Sequence, residues 1–243
     1  MSLKVIEPNK AIQDAIYLED FEFACGRKVP MYQVNSIYAL TQIIGYVKYI
    51  NASYDNVLYR GQCKLYKTIE PSIYHGIEST GARSRRNHLL NLVIDRAIND
   101  KDFSHFMNLD NSSISRTRLE SVLQHYGIPT HYVDVVDNHW TALWFGANKY
   151  TAYLRNSFCK YEKRSVDMGA VLQKRMELSE PEFDAYLETI KESMYQYLLL
   201  IAVSKSETAS DNGIKIGDDT ISVDLRSILP STFLRPHAQH GWT

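Results

Sequence analysis

The segment 124–134, Gln-His-Tyr-Gly-Ile-Pro-Thr-His-Tyr-Val-Asp, gathers ring nitrogens, an amide and a carboxylate around a bend made by glycine and proline. His125 falls in the last turn of a predicted helix, where the carbonyl-end dipole favours the imidazolium and suits an acid or a hydrogen-bond donor. The bend could bring the carboxylate of Asp134 back to orient this ring. Such a pair suits general acid–base catalysis, and it serves equally well to fix a loop.

Arg60 is the second candidate, because it ends the apolar run 57–60 and is followed at once by Gly61. A guanidinium at the end of a buried strand is costly unless it meets a carboxylate, a phosphate or carbonyl groups. One interpretation is an internal ion pair with Asp134 or Glu120. The other is that Arg60 grips a phosphate or carboxylate of a ligand while Gly61 lets the backbone approach it closely.

Other site chemistries find little support in the sequence. The histidines and aspartates between 125 and 139 lack a spacing that would place two histidines on one helical turn, so no metal site is predicted. The sequence has no G-x-S-x-G, G-x-G-x-x-G or phosphate-loop motif, which argues against those hydrolase and nucleotide-binding folds. Three cysteines without a C-x-x-C spacing are interpreted as reduced thiols.

The overall charge is nearly balanced, with Lys+Arg 27 against Asp+Glu 28. Nucleic acid is therefore not an expected partner unless the surface carries a local basic patch. Two short basic runs, 83–86 and 116–118, are interpreted as solvated helix ends. No basic segment precedes an apolar one at the start of the chain, and no apolar run has the length of a membrane span. We therefore expect a cytoplasmic protein that does not bind membranes.

Hydrophobic spacing predicts the elements that position these residues. An N-terminal strand or edge segment over 12–17 and 21–23, followed by a turn at 26–27, is expected first. Helices are expected at 36–47, behind a Ser36 cap, at 84–99, at 116–126, ended by Gly127, and at 140–150, which is predicted to be buried. Short strands are expected at 57–60, 198–203 and 221–225, and 133–136 fits a brief strand or a turn. Two exposed helices are expected within 156–192 and a loop at 204–219, while segment 103–115 fits helix or loop. The mixture predicts a single α+β domain with a central mixed sheet of short strands surrounded by helices.

Several motifs together resemble the FRG domain family. They are Tyr-Arg-Gly at 59–61, Pro-Ser-Ile-Tyr at 71–74, Gln-His-Tyr-Gly-x-Pro-Thr at 124–130, and the downstream Asp134. His131 stands where the family commonly has Arg, and Tyr-Val-Asp-Val at 132–135 replaces a Leu-Leu-Asp-Trp type run. The resemblance implies a domain over 57–243, with 1–56 as an N-terminal extension and first helix. The end of the chain resembles the family's Arg-x-x-Ala-Gln-x-Gly-Phe motif, which would lead into a final strand, so truncation after Thr243 is expected.

A weaker likeness, to ADP-ribosyltransferases, bears on function. In that superfamily a strand-borne Arg or His followed by a small residue lines the nicotinamide end of NAD, and a late Glu stabilises the sugar cation. Gln239 is the counterpart here and cannot supply negative charge, so the reaction would rely on positioning or on a carboxylate from elsewhere, such as Glu120 or Asp134. Two hypotheses result: an NAD-using enzyme that transfers ADP-ribose or hydrolyses NAD, as a toxin or defence effector would, and a non-catalytic nucleotide- or partner-binding module.

These hypotheses place Arg60, His125, Asp134 and Gln239 in one cleft that takes a small nucleotide-type ligand, with NAD as the candidate cofactor. Tyrosine rings near the motifs could stack on a base or on nicotinamide. The expected catalytic residues are His125, Asp134 and Gln239, and the expected ligand-binding residues are Tyr59, Arg60, Gly61, Gln124 and Tyr126.

Overall fold

The chain begins with an antiparallel hairpin in the computed structural model, which describes residues 4–7, 10–54, 56–153, 158–203, 208–210, 213–217, 220–239 and 241–243. Strand β1 (Ala15–Glu22) pairs with β2 (Lys28–Val34), from Ala15 opposite Val34 to Glu22 opposite Lys28. Gly26 takes a φ of 80° in the connection, a conformation that glycine adopts without steric cost. The predicted strand and turn are confirmed, and the second strand, β2, was not predicted.

Helix α1 (Ile37–Ile50) follows, and the Ser36 side chain accepts the Ala39 N–H at 3.1 Å, as the sequence predicts for a cap. Its inner face buries Ala39 and Ile43 in one apolar cluster with Ile6 and Ile12. The N-terminal segment is thereby held by burial of apolar surface.

Three helices carry the middle of the chain: α2 (Thr80–Asn99), α3 (Lys101–Met107) and α4 (Ser113–His125). Helix α2 begins before the predicted residue 84 because Ser79 caps it, and α3 shows that the ambiguous segment 103–115 starts as helix. A second apolar cluster joins these helices to the short 3-10 helix Ser72–Tyr74; its members are Ile73, Leu90, Ile94, Ile98 and Leu119. The chain leaves α4 through Gly127, with a φ of 87°, as predicted.

The start of α4 depends on Asp110, which accepts hydrogen bonds from the hydroxyls of Ser112 and Ser115. These bonds, that from Ser112 first, lower the pKa of the Asp110 carboxyl from 3.8 to about 2. Since the folded pKa is depressed, the stabilisation is present above the unfolded pKa of about 4 and is lost as pH falls through the folded value.

Asp110→Asn is therefore expected to have a lower melting temperature than wild type at pH 7. The difference between the two melting temperatures should become smaller as the pH falls from about 4 to about 2. Thermal melts of both proteins across this pH range measure the effect. Asp102→Asn, in the first turn of α3, is the matched control. A difference between wild type and Asp110→Asn that does not change with pH would contradict the assignment.

The largest sheet in the described part of the chain has four strands in the order β11-β4-β3-β7. They are β3 (Asn56–Gln62), β4 (Val135–Val136), β7 (Tyr197–Val203) and β11 (Gly241–Trp242). The closing strand β11 runs antiparallel to β4, with Gly241 opposite Val136. The closing segment thus enters a sheet, but it pairs with β4 instead of lying directly beside the strand that bears Arg60.

The predicted loop 204–219 is wrong in its described parts, since these form strands β8 (Thr208–Ser210) and β9 (Ile214–Ile216). With β10 (Ile221–Val223) they make a sheet in the order β10-β9-β8; the loop's residues 204–207, 211–212 and 218–219 lie outside the described residues. Two short helices follow, α8 (Leu225–Ile228) and α9 (Leu234–Gln239). The local polarity of the segment suggested a loop, whereas Ile214 is buried in a core cluster with Val122 and Leu225.

The residues after 137 form helix α5 (His139–Ala147), hairpin β5 (Asn148–Tyr153) with β6 (Phe158–Lys163), and helices α6 (Met168–Glu177) and α7 (Glu180–Met194). The two helices expected within 156–192 are confirmed. The helix expected at 140–150 ends early because Asn148 begins β5. It is not buried all round, since Trp140 is 49% and Trp144 46% exposed.

The chain divides into a first unit, residues 1–58, 66–137 and 200–243, and a second unit, residues 59–65 and 138–199. The predicted α+β class is confirmed, with the described strands spread over several small sheets in place of one central sheet. The boundary expected at residue 57 stays a prediction. None of the helices in the described part combines the length and the apolar character that a membrane crossing requires.

Candidate functional site

Gln124, in the last turn of α4, is the hub of a hydrogen-bond network in the first unit. Its Oε1 accepts from the hydroxyls of Ser72, at 3.0 Å, and Thr130, at 2.6 Å. Its Nε2 donates to Oδ2 of Asp134 at 3.2 Å. One amide thus contacts the middle and the far end of the bend that follows His125, together with Ser72.

Thr130 and Ser72 also bond to each other's segment directly. The Thr130 N–H donates to Oγ of Ser72 at 3.1 Å, and the Ile73 N–H donates to the Thr130 carbonyl at 3.1 Å. Thr130 is fully buried and also accepts the Tyr132 N–H at 3.2 Å. Ser72 was not among the predicted site residues; the available signal was its place in the Pro-Ser-Ile-Tyr motif.

His131 anchors the same loop to two helices. Its backbone N–H donates to Oε1 of Glu120 at 2.8 Å, and its Nδ1 lies 2.8 Å from the same oxygen. Its Nε2 lies 3.1 Å from Oδ1 of Asn87 on α2.

Burial, followed by the charge of Glu120, raises the pKa of Tyr132 to about 12, so this hydroxyl remains protonated at physiological pH.

Arg226 forms a second polar centre, which is not predicted from the sequence. Its Nη2 lies 2.6 Å from Oδ2 of Asp137, and its Nε and Nη2 donate to the two oxygens of Asp224 at 3.0 and 3.1 Å. The hydrogen bond and charge of Asp224, with those of Asp137, raise the pKa of Arg226. The only local signal was an aspartate that caps α8 two residues before an arginine. This ion pair occupies Asp137.

The closing strand packs against the catalytic candidate His125. A Cβ added at Gly241 would lie 3.5 Å from Cε1 of His125 and 3.3 Å from Cδ1 of Leu225, so glycine allows this approach. His125 is 8% exposed, and the ring of its neighbour Tyr126 meets it edge-on at 6.0 Å. Gln239 ends α9 just before this strand and is half-buried. The structure thus brings the closing segment to His125.

Three aromatic rings, those of Tyr126, Phe233 and Phe106, lie in a row that ends beside a cavity. The Tyr126 ring lies 5.9 Å from that of Phe233, which lies 6.1 Å from Phe106. The cavity beside Phe106 has a volume of about 340 Å³ and is lined by Phe106, Met107, Asn108, Arg118, Ser227, Ile228, Leu229 and Pro230. Arg118 donates to the Asn108 carbonyl at 3.4 Å at its edge. A larger cavity of about 560 Å³ lies beside the N-terminal hairpin, where its lining includes Lys10 and none of the motif residues.

The comparison with protein families decides what these linked motifs are. The FRG domain family model matches residues 55–154. The chain contains an FRG domain. The matched region includes the Tyr-Arg-Gly and Gln-His-Tyr-Gly motifs and ends before the closing segment, whose assignment to the family stays a prediction. Neither the curated proteins nor the solved structures give a match.

The Tyr-Arg-Gly motif of the FRG domain lies on β3 and, in the second unit, makes packing contacts. Tyr59 is 1% exposed, and its ring lies 5.8 Å from that of His139. A Cβ at Gly61 would lie 1.6 Å from the carbonyl oxygen of Ala142, so β3 and α5 meet backbone to backbone. Arg60 between them is half-buried. Ligand contacts at these residues, and the convergence of Arg60 with His125, stay predictions.

The basic runs of the FRG domain are engaged with its own backbone and carboxylates. Arg86 donates to the carbonyls of Ile73 at 3.0 Å and His75 at 3.2 Å. Arg116 bonds Asp95 at 2.5 Å and Asn91 at 3.0 Å, which ties α4 to α2. Among the residues that the structure describes, no three His, Cys, Asp or Glu side chains group as metal ligands would.

Proposed function

We propose that this FRG-domain chain is a non-catalytic module that binds a small nucleotide-type ligand. The observation that carries the proposal is that the carboxylates offered as acids or bases are held by donors of the chain itself. Glu120 is held by His131, Asp134 by Gln124 and Asp137 by Arg226. A carboxylate that stabilises a sugar cation or takes a proton must direct its oxygens at the substrate. The contacts here support a scaffold role.

The cavity beside Phe106 is the ligand site that we favour. Its volume of about 340 Å³ lies within the range of small-molecule pockets, and its lining combines apolar side chains with a few polar groups. The planar guanidinium of Arg118 suits a phosphate. Phe106, 54% exposed, and Tyr126, 49% exposed, offer ring faces to a base.

Arg118→Gln is expected to weaken ADP binding by about 10-fold or more, since a hydrogen bond to a charged group contributes about 1.5–3 kcal/mol. Calorimetric titration with ADP and with NAD measures this loss. Arg116→Gln is the matched control because Arg116 lies on the same helix and is not among the residues that line the cavity. Equal affinities for the two variants would remove Arg118 from the site.

The NAD-using, ADP-ribosyltransferase-like enzyme is the second candidate, in which His125, Asp134 and Gln239 are the catalytic residues. It is favoured by the exposed position of Asp134 on the loop that follows His125. Incubation with labelled NAD separates the candidates. Nicotinamide release or self-modification that Asp134→Asn abolishes would overturn the binding-only proposal, because asparagine retains an acceptor for Gln124. Neither turnover nor binding would contradict both candidates.

A further inference from the structure

The second unit exposes aromatic rings along one continuous surface. Trp140 and Trp144 are four residues apart on α5 and therefore share a helix face, and they are 49% and 46% exposed. Tyr150 on β5, 52% exposed, pairs across the hairpin with Tyr161, with ring centroids 5.3 Å apart. The Trp144 ring lies 5.1 Å from that of Tyr161. We call these four residues the aromatic platform.

The hairpin that bears half of this platform is basic. Its described strands carry Lys149, Lys160 and Lys163 against a single acid, Glu162. The register places Asn148 opposite Lys163 and Tyr150 opposite Tyr161, so the exposed Lys163 extends on the same sheet face as both tyrosines. The chain's net charge of −1 gives no general attraction for polyanions, so this positive charge is local.

A contact to α5 and α7 holds the platform in place. Nη1 of Arg164, directly after β6, donates to the Gly146 carbonyl at 3.2 Å and to the Tyr195 carbonyl at 2.8 Å. These bonds fix the end of the hairpin against the helix that carries both tryptophans.

We propose that this surface binds a single-stranded nucleic acid, whose bases stack on Trp144 and Tyr150 while Lys163 contacts the phosphates. Exposed ring faces beside cations are the combination that single strands require, because every base has a stacking face and every linkage is anionic. An apolar protein partner would use the rings but gain nothing from the lysines. The site lies in the second unit and is independent of the Arg118 cavity.

Fluorescence anisotropy with a labelled oligothymidylate of about 12 nucleotides tests the proposal in the full chain. Trp144→Ala is expected to weaken binding about 10-fold, the loss typical of one stacked base. Lys163→Glu is expected to weaken it and to flatten its salt dependence. The matched controls Tyr38→Ala, 86% exposed on α1, and Lys191→Glu on α7 should bind as wild type does.

Four further measurements decide between the possible outcomes. In a Trp140→Phe background the remaining tryptophans are Trp144 and the buried Trp242, so quenching of the emission by the oligomer reports stacking on Trp144 even where Trp144→Ala fails to fold. An abasic oligomer that binds as tightly as oligothymidylate would contradict base stacking. If the chain binds no oligomer but self-associates, and Trp144→Ala abolishes the self-association, the nucleic-acid proposal is overturned. Arg118→Gln should leave oligomer binding unchanged, which separates this proposal from the nucleotide cavity.

Discussion

Gly61→Ala is expected to lower the free energy of unfolding by about 3 kcal/mol or more, at the upper end of overpacking effects. The new methyl group would lie 1.6 Å from the carbonyl oxygen of Ala142 and 2.4 Å from its carbon. Both are backbone atoms, so no rotamer change relieves the overlap and α5 must move away from β3. Denaturant unfolding followed by circular dichroism measures the loss.

Gly45→Ala is the control for this prediction. Gly45 lies inside α1, and a Cβ there meets nothing within 4 Å. The substitution should stabilise the protein by about 0.5–1 kcal/mol, because alanine favours a helix interior over glycine. A Gly61→Ala variant as stable as wild type that fails to bind a ligand would instead assign the glycine to ligand approach.

The elements that the sequence predicts correctly are those whose signals are local. Ser36 caps α1 with its own side chain, and Gly127 ends α4 through its own backbone conformation. The failures are segments whose structure depends on distant partners. Ile214 and Ile216 are strand residues because their strand pairs with 221–223 and 208–210. The polar composition of the segment 204–219 gives no local signal of this pairing.

In the candidate site, too, the features with local signals are predictable and those that depend on distant partners are not. The position of His125 in the last turn of α4 follows from the residues around it. The partners of Gln124 and Arg226 do not, since Ser72 is 52 residues from Gln124 and Asp137 is 89 residues from Arg226. Only the family resemblance linked the Pro-Ser-Ile-Tyr and Gln-His-Tyr-Gly motifs, and the structure supplies the physical link as one shared amide.

Gln124→Ala is expected to lower the free energy of unfolding by about 2–3 kcal/mol. The substitution removes the acceptor of the Ser72 and Thr130 hydroxyls, and a buried hydroxyl left without a partner costs about 1–3 kcal/mol. Thr130 is fully buried, so bulk solvent does not reach its hydroxyl. Denaturant unfolding gives the stability, and hydrogen exchange should show faster opening of residues 126–134 than of α2.

Gln173→Ala is the control, because this glutamine is exposed on α6 and bonds only to the exposed Glu177 in the described contacts. It should change stability by less than about 0.5 kcal/mol. In a double-mutant cycle with Thr130→Val, the combined loss should fall well short of the sum of the two single losses, since both remove the same 2.6 Å bond. Additive losses would mean that Gln124 stabilises the loop by another route. Weakened ADP binding without any loss of stability would make Gln124 a ligand contact.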